Sequence, residues 1–425
     1  MHFKSLLKLA VALAVSTQIA AAASAATEQP SDLEFTFTAA PHTGNLAAPA
    51  AAFSQETVVQ QSTAGHIIPL WSGSASGFGK TYTFTMVGAS PEIQHVQPVS
   101  TIPTVVVPLR FNFETSKGMV VLDPTAPDPG SCLPAGQTAL SMTLKSPVFQ
   151  PLSVLDVTRN DGQHVSLPQL GSGQYADLFQ RANFYNYTRA GALNQGYHVT
   201  LTPTVAPTVT ILVPNADALV SRGRQCATSA GYTLPTGLIE AYSLDNFIRT
   251  NVVPALSQYI NPQAFAVFLT YNVAQYLSNG STNQCCVLGD HNAYDNNGLL
   301  QTYAVADYES SGNYALASDV SILSREIMAW MNDPLVTNLT PPYWVGAAGT
   351  SNGCLDGLEA NLPFTSWIFG PPLGAVAFHG YSFTLEEGAF HNWYFGTSPS
   401  ESVNGWYSLF GSLTAPDINW TICRT

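Results

Sequence analysis

The chain has 425 residues, enough for two domains with ordinary cores, yet only 10% of them are charged, against roughly 25% in typical proteins. It carries 27 carboxylates against 14 Lys+Arg, a formal charge of −13, which disfavours nucleic acid and anionic membrane as partners because both select basic surfaces. A surface covered instead by Ser, Thr, Asn, Gln and Tyr changes little when carboxylates protonate, so we expect an acidic protein that works in an acidic exterior.

Residues 1–25 read as a secretory signal peptide. Lys4 and Lys8 precede a largely apolar run over 9–23, and Ala23-Ser24-Ala25 fits the small-residue cleavage pattern. The expected location is secreted or periplasmic. Loss of Lys4 and Lys8 with the leader takes the formal charge from −13 to −15. No later segment offers ~18 uninterrupted apolar residues, so no transmembrane segment is expected after cleavage.

Residues 26–60 are rich in Ala, Pro, Thr and Ser and read as a flexible leader or a loosely docked strand. A β-rich domain is expected over 61–232. Residues 81–86 alternate polar and apolar, as a half-buried strand does. Residues 105–113 are a second strand, in which Pro108 marks an edge or a bulge. Residues 119–122 fit as its hairpin partner. Tyr175, Phe179 and Ala182 fall at helical spacing within 174–185, where Asp177 and Arg181 read as a surface ion pair. Residues 199–213 return to β alternation, broken by Pro203 and Pro207.

From 233 to 425 the signals shift to α+β. Residues 244–256 read as a helix, and 265–271 and 301–308 as strands. The strongest helix is 320–331. Val320, Leu323, Ile327 and Trp330 give it one apolar face, Ser318 or Asp319 can cap it, and Pro334 closes it. The overall expectation is α+β, with a β-rich N-terminal half and an α+β C-terminal half.

The six cysteines, Cys132, Cys226, Cys285, Cys286, Cys354 and Cys423, are even in number in a chain that reads as exported, which favours disulfides. Spacing does not decide the pairing. A Cys132–Cys226 bridge, with the other four paired within the C-terminal half, is the preferred arrangement.

The run 324–334 (SREIMAWMNDP) has the outline of a zinc-peptidase helix, His-Glu-x-x-His, whose two ligands lie one turn apart with a glutamate base beside the first. Together with 82–91 (YTFTMVGASP), 179–185 (FQRANFY), 285–291 (CCVLGDH) and 398–408 (SPSESVNGWYS), it resembles a family of secreted, mostly uncharacterised bacterial proteins related in motif to zincin-type metallopeptidases. The likeness extends over most of the mature length. The family helix reads Ser-His-Glu-h-x-Glu-Trp-x-x-Asp-Pro, h being apolar, and a Leu-Glu-Val-Gly-Asp segment follows it. The resemblance implies a zincin-like C-terminal half and a metal held by the His, the second Glu and a downstream carboxylate.

This chain keeps Glu326, Trp330, Asp333 and Pro334 but has Arg325 and Ala329 at the two ligand positions, and in the downstream segment Glu359 survives but the Gly-Asp does not. Arginine offers no available lone pair and alanine no donor atom. Without zinc, water keeps a pKa near ~15.7 rather than ~7, so Glu326 has little to deprotonate. The expectation is a pseudoenzyme without a cofactor, which binds an unidentified extracellular or periplasmic ligand or serves structurally. Arg325 is expected to replace the cation, near 3 Å from Glu326, Glu359 or Asp333.

Two alternatives remain open. The first is an active zinc-dependent hydrolase with rewired ligands drawn from His291, Glu326, Glu359, His379, Glu387 and His391. Glu387 and His391 would face one metal if their segment were helical. The second is an envelope carbohydrate-binding protein that stacks sugars on Trp393, Tyr394, Trp406, Tyr407 and Trp420.

Overall fold

The strand Val99–Thr115 is the spine of the fold. Val105, Val107, Leu109, Phe111 and Phe113 enter one core and Ile102 and Val106 enter another, so both faces of the strand are covered and its sequence is apolar almost throughout. The computed structural model describes residues 32–39, 68–77, 79–94, 98–127, 133–225, 233–276, 285–314, 317–345, 353–357 and 373–413.

Around this spine the central sheet runs Leu33–Thr36, Val209–Val213, Val99–Thr115, Phe265–Tyr271, Leu299–Tyr308, Gly289–Asn296. All neighbours are parallel except the last pair. Pro108 lies inside the spine, not at an edge. On one side of the spine, Phe265–Tyr271 pairs as far as Pro108 and Gly118–Leu122 takes over from Phe111. On the other, His198–Val205 pairs as far as Val106 and Val209–Val213 takes over from Leu109. The residue without an N–H therefore sits where the ladder changes partners, which limits the cost of the missing donor.

The expected boundary between 61–232 and 233–425 does not appear. The parallel ladder joining residues 104–108 to 265–269 crosses it, and Asp32–Thr425 is one compact unit. Of the stretch read as a leader, Leu33–Thr36 pairs with Val209–Val213 and Phe37 is buried, which is the docked-strand reading. The class is mixed α/β with many strands and few helices.

Helices cover both faces of the sheet. On one face lies helix α1 (Ala241–Phe247), continued by a π turn over Ile248–Val252. Leu244, Phe247, Ile248 and Val252 share its core with Phe268 and Tyr303. On the other face lies helix α2 (Ser321–Asn332), whose Trp330 stacks on Phe265 with ring centroids 3.9 Å apart. Leu323, Ile327 and Met331 share that core with Leu269, Ala304 and Ala306. Among the described residues, no helix is long and apolar enough to cross a membrane.

A hairpin of Leu70–Gly77 and Lys80–Val87 and a second sheet, ordered Tyr381–Glu386, Leu373–Phe378, Leu155–Arg159, His164–Leu167, complete the surroundings of α2. The Asp177–Arg181 pair is buried, contrary to the surface reading. Arg181 Nε and Nη2 lie 3.0 and 2.8 Å from Asp177 Oδ2. The same guanidinium donates to the carbonyls of Leu170 and Ser172, while Asp177 Oδ1 accepts from Val199 N–H at 2.9 Å. The pair is internal because it satisfies loop carbonyls that would otherwise be left unpaired. Gly173 leaves the space for it, since a Cβ there would lie 2.2 Å from Asp177 Oδ2.

Candidate functional site

Helix α2 is the axis of the site. Asp319 opens it, accepting the Val320 N–H on Oδ1 at 2.6 Å and also tying down Thr384 N–H at 2.8 Å. Asp333 ends it. Its backbone N–H closes the last turn on the Ala329 carbonyl, and its Oδ1 accepts from Thr337 and Asn338 N–H at 3.0 and 3.1 Å. This carboxylate therefore shapes a turn after the helix.

The edge strand Gly289–Asn296 passes close beside α2. A Cβ on Gly289 would lie 2.5 Å from Ile322 Cγ2 and 3.0 Å from Glu326 Cγ, so glycine is what lets strand and helix approach. The next residues carry chemistry. His291 Nδ1 lies 3.4 Å from Glu326 Oε2, and its Nε2 lies 3.1 Å from the Asp333 carbonyl. Burial pushes the imidazole pKa down, but the Glu326 hydrogen bond and charge and the nearby Asp333 outweigh it, and the net shift is upward. Both ring nitrogens then act as donors.

Arg325 projects beside Glu326, with 27% of its side chain exposed. Its Nη1 is 3.5 Å from Glu326 Oε1, and its Nε is 3.8 Å from Glu386 Oε1. Both carboxylate oxygens are buried and have no hydrogen-bond donor in the protein. Glu386 comes from the end of Tyr381–Glu386, where its N–H donates to Ser324 Oγ at 2.9 Å and its carbonyl accepts from the Tyr175 hydroxyl. Arg325 thus meets carboxylates, as expected, but at distances longer than 3 Å, and the second partner is Glu386, where Glu359 or Asp333 was expected. No local motif links 325 to 386, because the contact exists only through the packing of the second sheet on α2.

The surrounding carboxyls are held towards their neutral forms. Burial raises Glu386 to about 8, with Arg325 opposing and Glu326 adding to the rise. Burial, then Asp245 and Glu326, raise Asp290 to about 7. Burial raises Asp333 to about 6 against the pull of His291 and the backbone donors. The site is a low-dielectric acidic cluster whose fixed cation is Arg325 and whose titratable cation is His291.

Of the rewired-ligand candidates, His291 and Glu326 meet, while His379, Glu387 and His391 each serve a different local structure. His379 is exposed at a left-handed turn (φ 49°) and stacks on Phe378. Glu387 accepts from the N–H groups of Phe410 and Ser412 at 2.7 and 3.2 Å. His391 is packed among Phe84, Phe184 and Phe395, and burial lowers its pKa to about 3. The segment from Glu387 to His391 is not helical, because helix His391–Tyr394 begins only after it, so the two do not share a helix face. Glu359, Cys132, Cys226 and Cys423 lie outside the described residues, as do the Cys285 and Cys354 side chains and the expected signal peptide. Among the described residues no cysteine is free, and the preferred pairing involves residues outside them.

Zinc, which the helix motif would imply, does not fit this donor set. Arg325 is a permanent cation where the first ligand would be, and Ala329 brings a methyl group where the second would be. Among the described residues, no group of three His, Cys, Asp or Glu is arranged to hold a metal.

The motif-bearing stretches do converge. Strands Lys80–Val87 and Gly289–Asn296 and helix α3 (Tyr175–Asn183) all pack on α2. The 398–408 stretch meets the end of α3 and the turn after it, with Ser402 Oγ donating to the Asn183 carbonyl at 2.7 Å and the Glu401 carbonyl accepting from Asn186 N–H at 3.0 Å. Comparison of the chain with protein-family models, with curated proteins and with solved structures finds no match in any of the three.

Proposed function

We propose that this is an exported, metallopeptidase-like protein whose catalytic centre has lost its metal, and that it acts outside the cytoplasm by binding a ligand or in a structural role. The observation that carries the reading is the placement of the Arg325 guanidinium between Glu326 and Glu386, 3.5 and 3.8 Å away. A carboxylate cluster built for a cation is costly to bury unless some positive charge faces it. Here a side chain of the protein supplies that charge. Glu326, the residue in the base position, lies against Arg325 on one oxygen and His291 on the other, so side chains of the protein itself supply the positive charge beside it. The leader pattern at residues 1–25 supports export.

The active-hydrolase reading has less support, because His379, Glu387 and His391 serve three separate local structures. The sugar-binding reading has less as well, because Trp393, Tyr394 and Tyr407 are buried in an aromatic core.

Restoring both ligand types tests the proposal. Arg325→His with Ala329→Glu recreates a His-Glu-x-x-Glu helix on a scaffold that keeps Glu326 and Trp330. The double variant is expected to take up about one zinc per chain, as a three-ligand site does, and each single variant much less. Failure of the double variant to bind zinc while remaining folded contradicts descent from a metal centre.

A further inference from the structure

A second acidic element lies at the end of strand Leu299–Tyr308, apart from the Arg325 centre. Asp307 and Glu309 are each 1% exposed. One oxygen of each is saturated. Asp307 Oδ1 accepts from Thr270 Oγ1 at 2.8 Å and Val273 N–H at 2.9 Å. Glu309 Oε1 accepts from Ser311 Oγ at 2.6 Å and Gly312 N–H at 2.9 Å. The other oxygen of each, Asp307 Oδ2 and Glu309 Oε2, is buried and has no hydrogen-bond partner. Two residues apart on extended backbone, the two side chains leave the chain on the same side, and each carboxyl acts on the titration of the other. Two ionised carboxylates facing each other without a cation are not sustainable in a core, so one must carry a proton and donate it to the other.

We propose that Asp307 and Glu309 are a proton-sharing carboxyl pair that latches the 309–314 segment to the strand end at 270–273 in acid and releases it when the shared proton is lost. The pair bridges two backbone stretches. Asp307 holds Thr270 and Val273, while Glu309 holds Ser311 and Gly312. Asn272, in a left-handed conformation (φ 54°), reinforces the join by accepting from Ser310 and Ser311 N–H at 2.7 and 3.0 Å.

The titratable neighbours do not neutralise the pair. Tyr271 accepts from Ser310 Oγ. Tyr314 is raised by burial and by Glu309 and Asp307, and Tyr308 by burial and Asp319. Asp319 pairs with Glu309 only through the backbone, and its carboxylate is engaged by Val320 and Thr384. Among the described residues, neither carboxyl is in an ion pair with a Lys, Arg or His. Burial, then the Glu309 charge, raise Asp307 well above the carboxylate range, and burial raises Glu309. Because the folded values lie above the unfolded ones, the latch is fully closed below the ordinary carboxylate range and opens as pH rises through the folded values.

The test is hydrogen exchange of the full chain, read by mass spectrometry on peptides spanning 306–314 between pH 5 and pH 9 and corrected for intrinsic rate. In the native protein, protection is expected to fall with a slope approaching tenfold per pH unit for one proton. Asp307→Asn replaces the shared proton with an amide donor and is expected to flatten that slope, with protection kept at pH 9. Glu309→Gln is expected to do the same and serves if the first variant does not fold. Native protection that is independent of pH, or variants with the native slope, would overturn the proposal.

Discussion

Arg325→Met removes the guanidinium of the centre while keeping an unbranched apolar stem, so the change isolates charge from packing. It leaves Glu326 and Glu386, 3% and 2% exposed at the side chain, without the cation between them. Removing one partner of a buried pair costs about 3–5 kcal/mol. Here we expect about 2–3 kcal/mol at neutral pH, because Arg325 is 27% exposed and its contacts are 3.5 and 3.8 Å long. The loss should depend on pH. Glu386 is raised to about 8 even with Arg325 beside it, and without Arg325 it rises further. At pH 5 this carboxyl is neutral in both proteins, and only Glu326 loses the guanidinium while keeping His291. Above pH 8 the native protein ionises Glu386 against a guanidinium, whereas the variant ionises it against nothing. Urea unfolding at pH 5, 7 and 9 should therefore show a difference that grows with pH, and adding Glu386→Gln should recover most of the alkaline part. A difference below about 0.5 kcal/mol, the scatter of surface substitutions, at all three pH values would refute the idea that Arg325 compensates the cluster.

Two further outcomes follow from the same burial. Asp290, Asp319, Asp333 and Glu386 are all raised, to about 7, 6, 6 and 8. The folded state binds more protons than the unfolded one between roughly pH 4 and 8, so stability should fall as pH rises through that window. A urea midpoint that instead rises from pH 5 to 8, or unfolding by pH 4, would contradict this. Gly388→Ala should destabilise the join between α2 and α3 by about 1–3 kcal/mol, because a Cβ there would lie 1.7 Å from Met328 Sδ and 2.9 Å from Phe179 Cε2. An unchanged melting temperature would show that the side chains move aside freely.

Local pattern was a good guide to individual elements. Strand 265–271 is found as Phe265–Tyr271, the 320–331 helix as Ser321–Asn332, and the hairpin of 105–113 with 119–122 as the pairing of Phe111 with Leu122. These elements alternate or repeat with the period of their own backbone, so sequence alone carries them. The join between halves was not legible. Val105 and Ala266 are partners across a parallel ladder, and no turn signal marks a pairing of that sequence separation. The same limit hid the contact between Arg325 and Glu386. Arg325 and Glu326 stood out because they occupy motif positions on one helix, whereas Glu386 reaches them from a separate sheet. Asp177 and Arg181 were misjudged for a related reason. Their helical spacing fits an exposed pair equally well, and only the carbonyls of Leu170 and Ser172 make them internal.

The most direct measurement is the zinc content of the purified, tag-free mature chain after incubation with excess Zn2+ and exhaustive dialysis. With a guanidinium and a methyl group at the two helix positions, we predict well under one tightly held zinc per chain, of the order of the contaminating background. Stoichiometric zinc that survives dialysis and is lost on Glu326→Gln would contradict a dead centre and point to a working metal site beside Arg325.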